Sequence, residues 1–146
     1  MMGNLTDSEL TARNHRPGTV RHLVLFRYRQ DLTRQQRQEV EDRFLALADL
    51  CRRHGEPYID SIETGPANSP EGLDLGLEQG FLVTFGSQGD RNYYLGTPLV
   101  SDPAYCDPHH DDFKQFVGPL LATDGTPVVV FDFPVSRRAG TPSAGG

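Results

Sequence analysis

Apolar positions along this chain fall into two periods. Between residues 19 and 28, Val20-Arg21-His22-Leu23-Val24-Leu25-Phe26-Arg27-Tyr28 alternates with the two-residue period of a strand. His22, Val24, Phe26 and Tyr28 share one face, and Leu23 and Leu25 lie on the other. Both faces are largely apolar, which predicts cover on both sides. A histidine on a covered face needs a hydrogen-bond partner or a chemical role.

The period then changes. Thr33 with Gln36 fits a capping box, and Val40, Phe44, Leu47, Ala48 and Cys51 follow at helical spacing until Gly55 and Pro57. Alternation returns over Tyr58 to Thr64, and after a turn-rich stretch from Pro66 to Gly76 it returns again over residues 78–85. Ser87 opens a short helix through Tyr94. Asp107-Pro108 is an N-cap followed by proline at the first helical position, ahead of the stripe Phe113, Phe116, Val117, Leu120 and Leu121. The run Val128-Val129-Val130-Phe131, within a last strand from Pro127 to Phe133, reads as buried. Residues 1–18 show no period and read as a flexible arm, and 134–146 as a disordered tail. One domain, 19–133, remains.

The order β-α-β-β-(α)-α-β predicts an α+β fold of the ferredoxin-like split βαβ type, an antiparallel four-stranded sheet with helices on one face. The other face, carrying Leu23 and Leu25, needs cover. A second copy of the same sheet supplies it most simply, which predicts a homodimer through the sheet face, a dimeric α/β barrel.

Composition narrows the partners. A formal charge of −6 argues against nucleic acid, and no run approaches the ~18 apolar residues of a membrane span. Two cysteines, Cys51 and Cys106, are too few for a disulfide framework and read as reduced thiols in a cytoplasmic protein. The run His109-His110-Asp111-Asp112 invites a metal, but adjacent helical residues point about 100° apart and do not converge. No metal and no organic cofactor is expected.

The core as a whole resembles the stress-responsive A/B barrel (Dabb) family. The resemblance rests on Val20 to Phe26, on Asn68-Ser69-Pro70-Glu71-Gly72, on Tyr94 four residues before Pro98 with Pro108-His109-His110 beyond, and on Val128 to Phe133. The family's enzymes include a plant polyketide cyclase that works by aldol condensation without a cofactor, and a fern hydroxynitrile lyase. The resemblance implies that His22, Tyr94 and His110 surround a pocket. Two departures stand out: Thr97 or Asp107 replaces the first histidine of a His-Pro-x-His segment, and an insertion of about 99–106 adds Asp102, Tyr105 and Cys106.

Both reactions remove one proton and steady one oxyanion. Histidine titrates near working pH, and tyrosine donates a short hydrogen bond. His110, near a helix N-terminus that disfavours imidazolium, is expected as the base. Tyr94 and His22 are expected to polarise or position. Val24, Phe26, Tyr28, Phe44, Phe81, Tyr105, Phe113 and Phe116 are the expected pocket walls. These expectations describe a cyclase or lyase acting on a small hydrophobic carbonyl compound, plausibly a polyketide intermediate. The alternative is a noncatalytic stress-associated dimer or small-ligand binding module on the same fold.

Overall fold

The structure, a computed structural model, describes residues 4–141. Four strands form one antiparallel sheet in the order β4-β5-β1-β6: β1 is Pro17–Phe26, β4 Ile59–Pro66, β5 Gln79–Ser87 and β6 Val128–Pro134. Helices α2 (Arg34–Leu50), α3 (Gln88–Leu95) and α4 (Pro108–Val117) cover one face. This is the expected split βαβ order. The alternation in β1 has the predicted consequence: Val20, His22, Val24 and Phe26 are buried, while Leu23 and Leu25 on the opposite face are half-buried. Tyr28 lies past the strand and reaches only an isolated bridge to Leu121.

Local signals place the helices. Thr33 and Gln36 make both bonds of the capping box at the start of α2. The helix stops at Cys51, which is fully buried and extended. Beyond it lies a hairpin absent from the sequence reading, β2 (Arg52–Arg53) against β3 (Glu56–Pro57). His54 and Gly55 turn it with φ of 53° and 78°, the positive pair that a two-residue turn of this hand demands. Asp107 caps α4 by accepting from the His109 N–H at 2.8 Å, with Pro108 in the first turn.

The core lies between the helices and β4-β5-β1. Phe44 stacks on Phe81 with ring centroids 4.0 Å apart, and Phe26 and Phe113 pack around that pair. The sheet's other face is open. Contrary to expectation, β6 is not buried: Val130, Phe131 and Phe133 are 55%, 61% and 42% exposed. The reason is position. β6 is the edge strand, at the margin of the helical cover, and Phe131 and Phe133 sit opposite Leu23 and Arg21 on the uncovered face.

The arm is expected to be flexible, yet its described part, from Asn4, is docked along α3. Thr6 and Glu9 form a capping box on a short helix, α1 (Asp7–Leu10). Asn92 donates to the Leu10 carbonyl, and Arg13 pairs with Asp90. Gly89 makes this approach possible, because a Cβ there would stand 1.7 Å from the Ala12 carbonyl oxygen. At the other end, residues 135–141 have no regular secondary structure, and the last five residues of the tail lie outside the described residues.

Candidate functional site

His22 from β1, Tyr94 from α3 and His110 from α4 meet beneath the helices. They are 3%, 1% and 8% exposed. Tyr94 touches both imidazoles. Its ring stacks on His110 at 3.7 Å between centroids and meets His22 edge-on at 5.8 Å.

The two histidines are held in different ways. His110 Nδ1 lies 2.6 Å from the Tyr94 carbonyl oxygen. A carbonyl only accepts, so Nδ1 carries the proton and Nε2 the lone pair. Burial lowers the His110 pKa to about 3, against the raising effect of that hydrogen bond, so the ring is neutral at ordinary pH. His22 Nδ1 donates to Asp132 Oδ1 at 2.7 Å, and Asp132 Oδ2 accepts from Arg91 Nη1 at 3.0 Å. Burial pushes the Asp132 pKa up, but the hydrogen bonds and charges of His22 and Arg91 outweigh it and hold the carboxyl below its ordinary range. A carboxylate on Nδ1 leaves Nε2 of His22 as the proton-accepting atom.

The Tyr94 hydroxyl is a buried donor with no hydrogen-bond partner among the described residues. Burial, and then the nearby Cys51 and Asp107, raise its pKa well above 10 and keep it protonated. Asp107 itself is buried, accepts from Tyr58 Oη at 2.5 Å and caps the helix that carries His110.

Sequence reasoning missed Asp132, Arg91 and the Tyr58–Asp107 pair. Asp132 carried a usable signal, a lone carboxylate in an otherwise apolar strand. Strand register, which places Asp132 opposite His22, is what gives that signal meaning. Arg91 stands one helical turn before Tyr94 and carried no signal of its own.

The expected walls do not enclose a hollow. Val24, Phe26, Phe44, Phe81 and Phe113 pack on one another as core. Tyr28 is six residues along from His22, about 20 Å at strand rise, and its hydroxyl is bound to Gln79. Phe116 lies under the Arg43 guanidinium, and Tyr105 is half-buried in a short 3-10 turn, Pro103–Tyr105. Several hollows of about 290 to 420 Å3 open on the surface, and none of them is lined by His22, Tyr94 or His110. His109 faces one of them, half-exposed and away from His110. Among the described residues no three histidine, cysteine, aspartate or glutamate side chains are grouped to hold a metal.

The fold and these residues define an α+β protein of the ferredoxin-like kind with a histidine-bearing first strand facing its helices. The chain belongs to the stress-responsive A/B barrel domain family, which it matches over residues 20–135. Similar solved structures include a hydroxynitrile lyase from Passiflora edulis, at 19% identity over 85% of this chain and 99% of that one, with a TM-score of 0.65. A protein of Arabidopsis thaliana is similar at 19% identity over 82% and 98%, also with a TM-score of 0.65. A dimeric ferredoxin-like protein of unknown function from Jannaschia sp. matches at 19% over 81% and 100%, with a TM-score of 0.62. No curated protein matches the chain.

Proposed function

We propose that the protein is an acid–base lyase or cyclase that works without an organic cofactor on a small hydrophobic carbonyl compound or its adduct. One observation carries this reading: a carboxylate-held imidazole, Asp132–His22, lies beside a buried and unpartnered phenol, Tyr94. A base and an oxyanion donor in one dry place are what carbon–carbon cleavage or formation next to a carbonyl requires.

In the cleavage direction, His22 Nε2 takes the proton of a substrate hydroxyl. The carbonyl forms as the adjacent carbon–carbon bond breaks, and the leaving carbanion takes that proton back from the imidazolium. Asp132 supports the imidazolium while it exists, and Tyr94 donates to the oxygen on which charge develops. In the ring-closing direction, His22 removes a proton next to one carbonyl, and the new bond to a second carbonyl leaves an alkoxide that Tyr94 steadies. His110, expected from its place in the helix to be the base, is too strongly desolvated for that task. It serves as a neutral wall stacked on Tyr94, its Nδ1 donating to the Tyr94 carbonyl. The Passiflora relative's name supports the lyase form, and the resemblance of the His22, Tyr94 and His110 positions to a polyketide cyclase supports the ring-closing form. The unpaired thiols Cys51 and Cys106 support a cytoplasmic setting, and among the described residues no helix is long and apolar enough to cross a membrane. Relatives described as dimeric, and the bare apolar face of β1 and β6, support a homodimer.

The packed interior favours the second reading, a protein without turnover on the same fold, either a noncatalytic stress-associated dimer or a small-ligand binding module. The deciding experiment offers the protein small aromatic cyanohydrins and linear poly-β-keto thioesters and follows carbonyl release or ring formation by chromatography. Turnover that His22→Ala abolishes supports the enzyme. Binding seen by calorimetry with no turnover in the parent overturns it.

A further inference from the structure

Two stretches of this chain outside the sheet touch each other. One is the arm ahead of residue 20, where the family match begins. The other is segment 97–106, which joins the end of α3, next to Tyr94, to Asp107 at the head of the helix that carries His110.

A single carboxylate oxygen connects them. Asp7 Oδ2 accepts from the Asp102 N–H at 2.9 Å, the Ser101 N–H at 3.2 Å and the Ser101 hydroxyl at 3.4 Å. Among the described residues, these are the only hydrogen bonds that tie residues 97–106 to anything beyond Gly96, the segment's own root. Otherwise the segment is largely exposed and buries Val100. The arm's side of the contact is firm. Thr11 is buried and donates to the Asp7 carbonyl, Asn92 holds the Leu10 carbonyl, and Arg13 shares the buried Asp90 with Arg53.

We propose that the arm is a strap that latches segment 97–106 closed over the His22–Tyr94–His110 site, with Asp7 as the catch. Its purpose rests on the site reading above; its test does not. The site is shut, so a ligand reaches it only if something moves. The sheet and the Phe44–Phe81 stack are poor candidates because many contacts fix them, whereas segment 97–106 flanks two of the three residues and has few bonds to break. The catch faces water, so its three donors can exchange one partner for another without stranding a buried group.

Cys51 reports the opening without any substrate. It is fully buried, and its thiol lies against Asp107 and Tyr58, at the segment's far end. Burial raises its pKa, so background labelling is slow. In a Cys106→Ser background Cys51 is the one thiol of the chain. Asp7→Ala in that background is expected to speed labelling by 5,5′-dithiobis(2-nitrobenzoate) about tenfold, because the charge-assisted bonds to Ser101 and Asp102 are lost. The faster rate should hold steady across low urea concentrations, and exchange of the Ser101 and Asp102 amide protons should rise with it. A rate equal to the parent's, or one that grows only with urea in step with global unfolding, overturns the latch. If Asp7→Ala does not fold, Asp7→Asn is held to the same criteria. A protein with no turnover at all can still pass or fail this test, so failure of the latch and failure of the proposed reaction are distinguishable.

Discussion

The two buried histidines differ in what holds them. His22 has a carboxylate behind Nδ1, and that carboxylate is itself held by Arg91. Asp132→Asn removes the charge that supports an imidazolium and can present an amide N–H to Nδ1, which favours the wrong tautomer. Turnover is expected to fall by about 10²- to 10⁴-fold, the usual weight of a general base, with modest change in substrate affinity. Steady-state kinetics measure it, and nitrogen NMR of the His22 ring reads the tautomer directly. His110 makes a different prediction, about stability. Its pKa is depressed from the ordinary 6.5 to about 3 in the folded chain, so the unfolded chain binds the extra proton first as pH falls. The stability that its neutral form contributes is intact above pH 6.5 and drains between there and pH 3, at about 1.4 kcal/mol per pH unit. His110→Phe keeps a ring against Tyr94 and removes the titration. Urea midpoints taken across pH 3–7 should therefore fall less steeply for the variant; equal slopes would show that His110 does not carry this effect.

At the level of elements, the docking of the arm depends on a residue with no side chain. Gly89→Ala would normally favour a helix, by up to about 1 kcal/mol. Here the added methyl would meet the Ala12 carbonyl, so the arm must leave α3 and give up the Arg13–Asp90 and Asn92–Leu10 contacts. Tryptic cleavage after Arg13 should speed up markedly while the sheet stays folded, with a net loss of about 2 kcal/mol in urea unfolding. Unchanged cleavage would mean that the arm does not sit where the structure places it. The same contact shows what the sequence could not convey. The four strands of the main sheet, α2, the cap at Asp107 and the burial of His22 were legible because each is written locally, in a period or a cap. Thr6-x-x-Glu9 was also a local signal, but a four-residue helix has too little apolar periodicity to separate it from a loose arm. The meeting of His22 with Asp132 spans 110 residues and follows from register, which no local pattern encodes. Phe26, Phe44, Phe81 and Phe113 lie inside as their periods indicate, unlike Phe131 and Phe133, but whether they line a hollow or fill it depends on packing that their spacing leaves undetermined.

For the whole molecule, the decisive feature is the sheet face that no helix covers. Leu23 and Leu25 lie there beside Val129, Phe131 and Phe133, and the exposed Leu73 and Leu75 stand in the loop that borders it. Single exposed apolar residues are ordinary, but a contiguous band along two paired strands marks an interaction surface. A two-fold partner brings the same band to meet itself, so any change in it counts twice. Leu25 is the most telling position. It sits opposite Gly80 and Val129 and lines the hollow between the sheet and the 66–77 loop. Facing water in the lone chain, Leu25→Asp should be tolerated, because the carboxylate stays solvated and β1 keeps its ladders to β5 and β6. Closing two such faces together would bury a pair of like charges without counterions, a cost of several kcal/mol that outweighs the apolar gain. The variant should therefore run as a folded monomer at micromolar concentration in analytical ultracentrifugation, where the parent is expected to run as a dimer. A variant that stays dimeric with the parent's affinity would show that the partners meet somewhere other than this face.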